Sequence, residues 1–153
     1  VIFAFFIHQR EGRGGVPGKS AAMFTTINPQ VLGKPKGYSN GMLAPSGGRI
    51  LFVAGQIGWD GDGKFVGPGF LEQFRKALEN ALQVVKEAGG TPEHVGRMTL
   101  YVVDKQEYSA CQREVGACYR ELMGKHFPAM ALVEVKSLLE AQARVEIEIT
   151  AVL

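Results

Sequence analysis

The hydrophobic residues of this chain recur with two different periods, and the longer period marks residues 69–88. Apolar side chains return there every three or four residues, while charged and amide side chains take the opposite side. The apolar set is Phe70, Phe74, Ala77, Leu78, Ala81, Val85 and Ala88. This spacing predicts an amphipathic helix, and the pair Gly89-Gly90 predicts its end.

The shorter period marks the last ten residues, where apolar and polar positions alternate. One face carries Val145, Ile147, Ile149, Ala151 and Leu153, and the other carries Arg144, Glu146, Glu148, Thr150 and Val152. Alternation of this kind predicts a strand whose apolar face packs on the helices.

Between these two segments, the pattern predicts a strand, a second helix and another strand. Residues 97–103 are rich in β-branched and aromatic side chains, as strands are. Asp104 with Glu107 has the form of a capping box, which predicts a helix along Tyr108, Cys111, Val115, Tyr119 and Leu122. Pro128 then leads into a strand that contains Met130, and we expect that strand to be buried.

Two further strands are predicted before the first helix. Residues 41–45 and 49–56 flank Ser46-Gly47-Gly48, a run of small residues typical of the turn of a β-hairpin. We therefore expect these two strands to pair with each other.

The predicted order is two strands, helix, strand, helix and two strands. This order is typical of an α+β domain in which two helices cover one face of a mixed sheet. We assign that domain to residues 23–153, and we expect residues 1–22, rich in glycine and polar residues after a short apolar run, to be a flexible extension. The uncovered face of such a sheet often binds a partner subunit.

Composition agrees with one globular unit and excludes several classes of protein. The 153 residues are 46% hydrophobic and 21% charged, close to the averages for soluble proteins. The formal net charge is only +2, with much of the surplus in the first twenty residues, so no clustered positive surface for nucleic acid is evident. The apolar run VIFAFFI is too short to span a membrane. Two cysteines without a disulfide framework favour the reducing cytoplasm, and the three histidines show no metal-ligand spacing.

Several segments after residue 27 together resemble the reactive intermediate deaminase (Rid, or YjgF) family. They are Gly37-Tyr38-Ser39-Asn40, Val53-Ala54-Gly55-Gln56-Ile57-Gly58, the helix containing Asn80, the helix containing Tyr119, Phe127-Pro128-Ala129 with Val133-Glu134-Val135, and Val145-Glu146-Ile147-Glu148. No one of these motifs is decisive, but the set is specific.

The resemblance implies a homotrimer around a central β-barrel, with three clefts between neighbouring subunits. In well-known members of the family, these clefts hydrolyse enamines and imines to 2-keto acids and ammonia without a metal or a cofactor. Such a cleft needs an anchor for the substrate carboxylate and a group that orients water toward the imine carbon.

This chain departs from the family pattern at the anchor. In the family's F-P-A-R motif, arginine pairs with the substrate carboxylate, and here that position is Met130. Methionine offers neither a charge nor a hydrogen-bond donor. The chain also has Ala54 where many members have serine, and Gly116 where others have asparagine. We therefore expect a more apolar pocket that is roomier at Gly116.

Other positions of the family site are retained, and each has a structural alternative. By the resemblance, Glu146 activates water and Gln56, Tyr38 and Tyr119 line the cleft. From the strand pattern alone, however, Glu146 is a solvated carboxylate, Tyr38 packs on a neighbour and Tyr119 belongs to the core. Arg144 is the nearest candidate for a substitute anchor, and its alternative is a cross-strand ion pair.

Three functions remain open at the level of sequence. The first is hydrolytic deamination of an enamine or imine that lacks an α-carboxylate, and the second is binding of a small metabolite without chemistry. The third is endoribonuclease activity, a label that some relatives carry. The sequence argues against the third, because no basic groove with interleaved aromatic residues stands out.

Overall fold

The structure is a computed structural model that describes residues 24–153. The flexible extension predicted for residues 1–22 lies outside the described residues. The described part contains six strands and three α-helices. The strands are β1 (Thr25–Ile27), β2 (Gly41–Leu43), β3 (Ile50–Gln56), β4 (Val95–Val102), β5 (Ala129–Glu134) and β6 (Val145–Val152), and the helices are α1 (Phe70–Glu87), α2 (Lys105–Ala110) and α3 (Gln112–Met123).

Four strands form a mixed sheet in the order β3-β6-β4-β5, and β1 pairs with β2 in a separate ribbon. The β3–β6 and β4–β6 pairs are antiparallel, whereas β4 and β5 run parallel. The predicted α+β class with a mixed sheet is confirmed. The two edges of this sheet are β3 and β5, which matters for the site described below.

Helix α1 confirms the predicted amphipathic helix and supplies much of the core. The Glu72 carboxylate accepts a hydrogen bond of 2.6 Å from the Gly69 amide, so the first turn is capped by its own side chain. The helix buries Phe74, Leu78 and Val85 almost completely against the sheet. Each such side chain contributes about 1.5–3 kcal/mol through the hydrophobic effect.

Strand β6 confirms the predicted alternation. Its apolar residues Val145, Ile147, Ile149 and Ala151 are all at most 1% exposed and face the helices. Glu146 and Glu148 point to the other face, where the Tyr101 hydroxyl donates a hydrogen bond of 3.1 Å to Glu148 Oε2. No helix of residues 24–153 covers this outer face.

The second predicted helix is interrupted at Cys111. Asp104 caps α2 by accepting a hydrogen bond of 2.7 Å from the Gln106 amide. Glu107 does not complete the predicted capping box, because its carboxylate pairs with Arg144. The backbone leaves the helical conformation at Cys111, and α3 starts at the next residue. The apolar spacing of three and four runs through the break, which is why the pattern predicts one helix.

The predicted hairpin between residues 41–45 and 49–56 is wrong. Strand β2 pairs with β1, with Gly41 opposite Ile27, whereas β3 pairs with β6, with Ile50 opposite Val152. Reciprocal backbone hydrogen bonds of 2.8 Å between Arg49 and Leu153 fix the start of β3 on β6. The small-residue loop therefore joins two different sheets.

Strand β5 is an edge strand, so the expectation of a buried strand is wrong. Apart from an isolated bridge between Ser39 and Ala129, it pairs only with β4 among the described residues. Its last four residues are exposed, and Met130 is half-buried. A strand in this position presents unpaired backbone groups that other chains can reach.

Candidate functional site

A cavity of about 350 Å³ lies between β5 and helix α3. We call it the β5 cavity. It brings together three of the sequence-predicted site residues, Gly116, Tyr119 and Met130. The rest of its lining is Lys36, Gly37, Phe74, Leu100, Tyr108, Gln112, Val115, Arg120 and Phe127.

Met130 belongs to the apolar wall of the β5 cavity. In the parallel pairing of β4 and β5 it lies beside Met98, whose side chain is fully buried on the helix side of the sheet. Met130 packs against that same core from the edge. The side chain therefore faces the cavity as a polarisable apolar surface.

Tyr119 is a rigid part of the same wall. Its hydroxyl donates a hydrogen bond of 2.9 Å to the carbonyl of His126, and its ring stacks on Phe127 with the centroids 5.4 Å apart. Burial raises the pKa of Tyr119 above its ordinary value, so the phenol stays neutral. The hydroxyl is already committed to a backbone acceptor, which supports the structural role that the sequence left open.

Tyr38 lies at the mouth of this region, in the loop that precedes β2. Neighbouring Ser39 anchors that loop, because its amide donates to the Pro128 carbonyl at 2.9 Å and its hydroxyl donates to the Phe127 carbonyl at 2.6 Å. Tyr38 is 42% exposed and lines two smaller cavities with Met130, of about 310 and 180 Å³. The structure thus brings Tyr38 next to the β5 cavity.

Two cations of the β5 cavity, Lys36 and Arg120, were not predicted from the sequence. Arg120 follows Gly116 by four residues on α3, so both lie on the same side of the helix. A Cβ atom added at Gly116 would lie 3.4 Å from Arg120 Nη1. The helical spacing between Gly116 and Arg120 is the signal in the sequence that could have identified the arginine.

Three of the remaining predicted site residues, Ala54, Gln56 and Glu146, lie on edge strand β3 and its neighbour β6, toward the opposite edge of the sheet. The β3 strand contains an irregularity between Val53 and Gln56 that offsets its register on β6. We call this segment, with the Glu146 side chain beside it, the β3 bulge. Gln56 Nε2 donates to the Ala54 carbonyl at 3.1 Å within the bulge.

Glu146 reaches across to the β3 bulge from β6. Its carboxylate occupies the space where a Cβ atom of Gly55 would stand, well inside contact distance. Only glycine leaves room for the carboxylate in this position. Beyond the bulge, the Asn80 amide donates to the carbonyls of Ile57 at 3.1 Å and Trp59 at 2.9 Å. Helix α1 therefore holds the chain in place as it leaves β3.

Within one chain, the β5 cavity and the β3 bulge do not meet. Strand β4 pairs Met98 with Met130 on one side and Tyr101 with Glu146 on the other. Met98 faces the helices, whereas Tyr101 belongs to the outer face, so Met130 and Glu146 point to opposite faces. Their strands are two spacings apart, about 10 Å. Glu146 therefore does not share a cavity with Met130 in a single chain.

Arg144 is engaged away from the β5 cavity. Its guanidinium pairs with the Glu107 carboxylate at 3.4 Å, and its amide donates to Gln73 Oε1 at 2.8 Å. The expected ion pair therefore exists, but its partner lies on helix α2 and not on a strand. Arg144 lines a separate cavity of about 460 Å³ with Phe65, Gly67, Pro68, Gln73, Ala141 and Gln142.

Glu134 follows Met130 on the same side of β5 and has a structural role. Its carboxylate accepts a hydrogen bond of 3.0 Å from the Lys105 amide and pairs with the Lys105 ammonium at 3.4 Å. The Lys105 amide bond is the main reason that the pKa of Glu134 lies below its ordinary value. This contact ties the start of α2 to the end of β5.

Metal-binding groups do not gather in the part of the chain that the structure describes. Among residues 24–153 no three side chains of His, Cys, Asp or Glu lie together as a metal site requires. Cys111 and Cys118 are free thiols, and burial raises the pKa of both. No described helix is long and apolar enough to cross a membrane.

A family model matches most of the chain. Residues 31–153 match the family described as Endoribonuclease L-PSP. The matched range includes every predicted site residue, together with Lys36 and Arg120.

Individual proteins of known sequence or structure are also similar. The chain is 30% identical over 116 residues to the human 2-iminobutanoate/2-iminopropanoate deaminase, covering 75% of this chain and 79% of that protein. It is 31% identical over 117 residues to a RutC family protein of Pyrococcus abyssi, covering 76% and 84%. The crystal structure of the Rid family protein YyfB from Yersinia pestis superposes with a TM-score of 0.73 at 32% identity, covering 86% of this chain and all of that one.

Proposed function

The chain belongs to the Rid (YjgF) family, whose model is described as Endoribonuclease L-PSP, and from that premise we propose a ligand site between subunits. In this proposal the protein is a homotrimer that binds a small metabolite in each cleft. It hydrolyses an enamine or imine that lacks the α-carboxylate of the usual substrates.

The observation that carries the proposal is the separation of the site residues between β5, at one edge of the sheet, and β3 with its neighbour β6, toward the other edge. Met130 and Glu146 lie on different faces and different strands, so one chain does not complete the constellation. A second copy that docks its β3 edge near the β5 edge of the first would bring a Glu146 carboxylate to the β5 cavity. Head-to-tail contacts of this kind close into a ring when the rotation allows.

The exposed face of the sheet supports such docking. Ile50 and Phe52 on β3 are 62% and 77% exposed, and Val133 on β5 is 43% exposed. Large apolar side chains in this number on an edge and a bare sheet face mark an interaction surface. Contact with other copies of the chain would remove these apolar side chains from water.

The chemistry requires one carboxylate and one water molecule. Glu146 accepts a proton from water as the water oxygen forms a bond to the imine carbon. The nitrogen takes up a proton, the carbon–nitrogen bond breaks, and the products are a carbonyl compound and ammonia. Neither an oxidant nor a cofactor enters this balance, and a positioned general base contributes about 10²–10⁴-fold to the rate.

Met130 determines which substrates are excluded. A 2-imino acid would bring its carboxylate to the β5 wall, where methionine offers no donor. An unpaired buried charge of this kind costs roughly 2–5 kcal/mol in binding. The favoured substrate therefore carries no carboxylate next to the reacting carbon.

The second candidate is a binding protein that performs no chemistry in the same clefts. The observation in its favour is the loss of polar side chains at Ala54, Gly116 and Met130, which leaves Glu146 as the main reactive group of the proposed site. Endoribonuclease activity has less support. Among the described residues, neither His94 nor His126 lines the β5 cavity, and each ring makes a backbone hydrogen bond, His94 with the Thr91 amide and His126 with the Val95 carbonyl.

The test compares two imines that differ in the α-carboxylate. An amino-acid oxidase generates a 2-imino acid, an amine oxidase generates the corresponding imine without a carboxylate, and semicarbazide traps whatever is not hydrolysed. We expect the protein to accelerate hydrolysis of the second imine and not the first. Glu146→Gln should remove the acceleration, because an amide does not accept the proton of water.

Met130→Arg is the matched gain-of-function variant. It should confer hydrolysis of the 2-imino acid by restoring the missing cation. If neither imine reacts with either protein, and the β5 cavity still binds small ligands, the binding-protein function replaces the enzyme.

A further inference from the structure

We propose that Arg120, assisted by Lys36, binds an anionic group of the ligand on the α3 side of the β5 cavity. This inference rests on the proposed function in one respect, namely that the β5 cavity is the ligand site. It specifies the ligand as a compound whose carboxylate is separated from the reacting carbon by an apolar segment.

The Arg120 side chain lies against Gly116 at the cavity. Nη1 lies 3.4 Å from where a Cβ atom of residue 116 would stand, so the guanidinium folds back over the bare backbone of Gly116. A longer side chain at position 116 would compete for this space. The glycine therefore creates room for the arginine at the cavity as well as for a ligand.

The β5 cavity carries a positive charge. Lys36 and Arg120 are its two charged residues, and no carboxylate belongs to its described lining. Among residues 24–153, Arg120 has no ion-pair partner within 4.0 Å, so no carboxylate of the described chain neutralises it. A positive cavity without an internal counter-ion attracts an anionic ligand.

The two walls of the β5 cavity differ in polarity. Met130, Leu100 and Phe74 form an apolar surface, while the guanidinium lies on the α3 side. A guanidinium matches a carboxylate with two parallel hydrogen bonds. A ligand with a carboxylate at one end and an apolar body satisfies both walls, and an α-carboxylate directed at β5 does not.

The test measures binding of two probes, 4-methylpentanoate and its uncharged isostere 4-methylpentanamide, to the assembled protein by NMR titration. We expect the acid to bind more tightly than the amide. Arg120→Gln should lower the affinity for the acid about three- to tenfold. Arg120→Lys should retain part of the affinity, since it keeps the charge but not the planar fork. The preference for the acid should shrink as salt is added.

Arg113→Gln and Arg144→Gln are the matched controls. Arg113 is an exposed arginine on the same helix that does not line the cavity, and Arg144 is the rival anchor. Both should leave binding of the acid unchanged. Gly116→Asn tests the geometry without removing a charge. It should lower the affinity for the acid, because the asparagine displaces the Arg120 side chain.

The proposal is overturned if the acid and the amide bind with equal affinity. It is also overturned if Arg120→Gln and Arg113→Gln lower the affinity for the acid to the same extent. Turnover of the carboxylate-free imine is measured in parallel. If that imine is not hydrolysed while acid binding still depends on Arg120, the enzymatic function fails and the anchor stands. If it is hydrolysed while the acid does not bind, the anchor fails and the function stands.

Discussion

The β5 cavity and the β3 bulge belong to the same sheet but differ in the space that they leave open. The β5 cavity is an open volume with an apolar wall at Met130 and cations opposite it. In the β3 bulge the Glu146 carboxylate lies directly on Gly55 and leaves no room for a side chain at that position. In the proposed function, the first region selects the ligand and the second holds the reactive carboxylate. Changes in the first should alter which compound binds, and changes in the second should alter what happens to it.

The largest expected effect comes from filling the space beside Glu146. In Gly55→Ala the new methyl group would take the position of the carboxylate and push it away. The cost to folding is small, since the displaced atoms are the end of a flexible side chain. We expect imine hydrolysis to fall by about 10²-fold or more, as for loss of a general base. Steady-state turnover with a thermal unfolding curve measures both quantities.

Gly61→Ala is the control for this substitution. A Cβ atom at Gly61 meets nothing within 4 Å, so the same chemical change should leave turnover and stability unaltered. Undiminished turnover of Gly55→Ala would show that the position of this carboxylate is unimportant. That result would remove the distinction between the two regions.

An intermediate effect is expected for Tyr119, which makes the wall of the β5 cavity rigid. Tyr119→Phe removes the hydrogen bond to the His126 carbonyl and keeps the stacking on Phe127. Because a partly buried acceptor then lacks its partner, the free energy of unfolding should fall by about 1–2 kcal/mol. Urea denaturation measures this change. Tyr38→Phe, at an exposed ring, should leave the stability the same, and equal losses in the two variants would contradict the assigned role of Tyr119.

The smallest effect is on stability as the pH is lowered, and it tests the contact between β5 and α2. The Lys105 amide lowers the pKa of Glu134 from its ordinary value of 4.5. A group whose folded pKa is lowered stabilises the fold above its unfolded pKa, and this contribution disappears as the pH falls through the folded value. Glu134→Gln should therefore lower the melting temperature slightly at neutral pH and leave it unchanged in strong acid. A difference that persists in strong acid would point to lost packing instead of lost charge.

Parts of the fold with a strong local period were predictable from the sequence. Helix α1 and strand β6 bury the residues that their periods of 3.6 and 2 select. The pairing of β2 was not predictable, because Ser46-Gly47-Gly48 signals a turn but not which strands it joins. The break at Cys111 was hidden for a related reason, since the apolar stripe continues through it.

The candidate site was also only partly predictable from local sequence patterns. The family resemblance identified Met130 and Glu146, but no local pattern predicts that they lie on different faces of the sheet and on strands separated by β4. Arg120 was overlooked because it is an ordinary exposed arginine in the helical pattern. Its relation to Gly116 becomes visible only when the space above the glycine is known.

The central claim is that the β5 cavity of one chain works with the Glu146 of another. The most direct test mixes two inactive variants, Glu146→Gln and Gly116→Phe, which disable the β3 bulge and the β5 cavity respectively. After dissociation and joint reassembly at equal concentrations, about a quarter of the clefts should combine an intact cavity with an intact glutamate, given a head-to-tail ring. We expect imine hydrolysis to return to about that fraction of the unmodified protein's rate. No recovery from variants that reassemble normally would mean that both regions must come from the same chain, and the claim would be wrong.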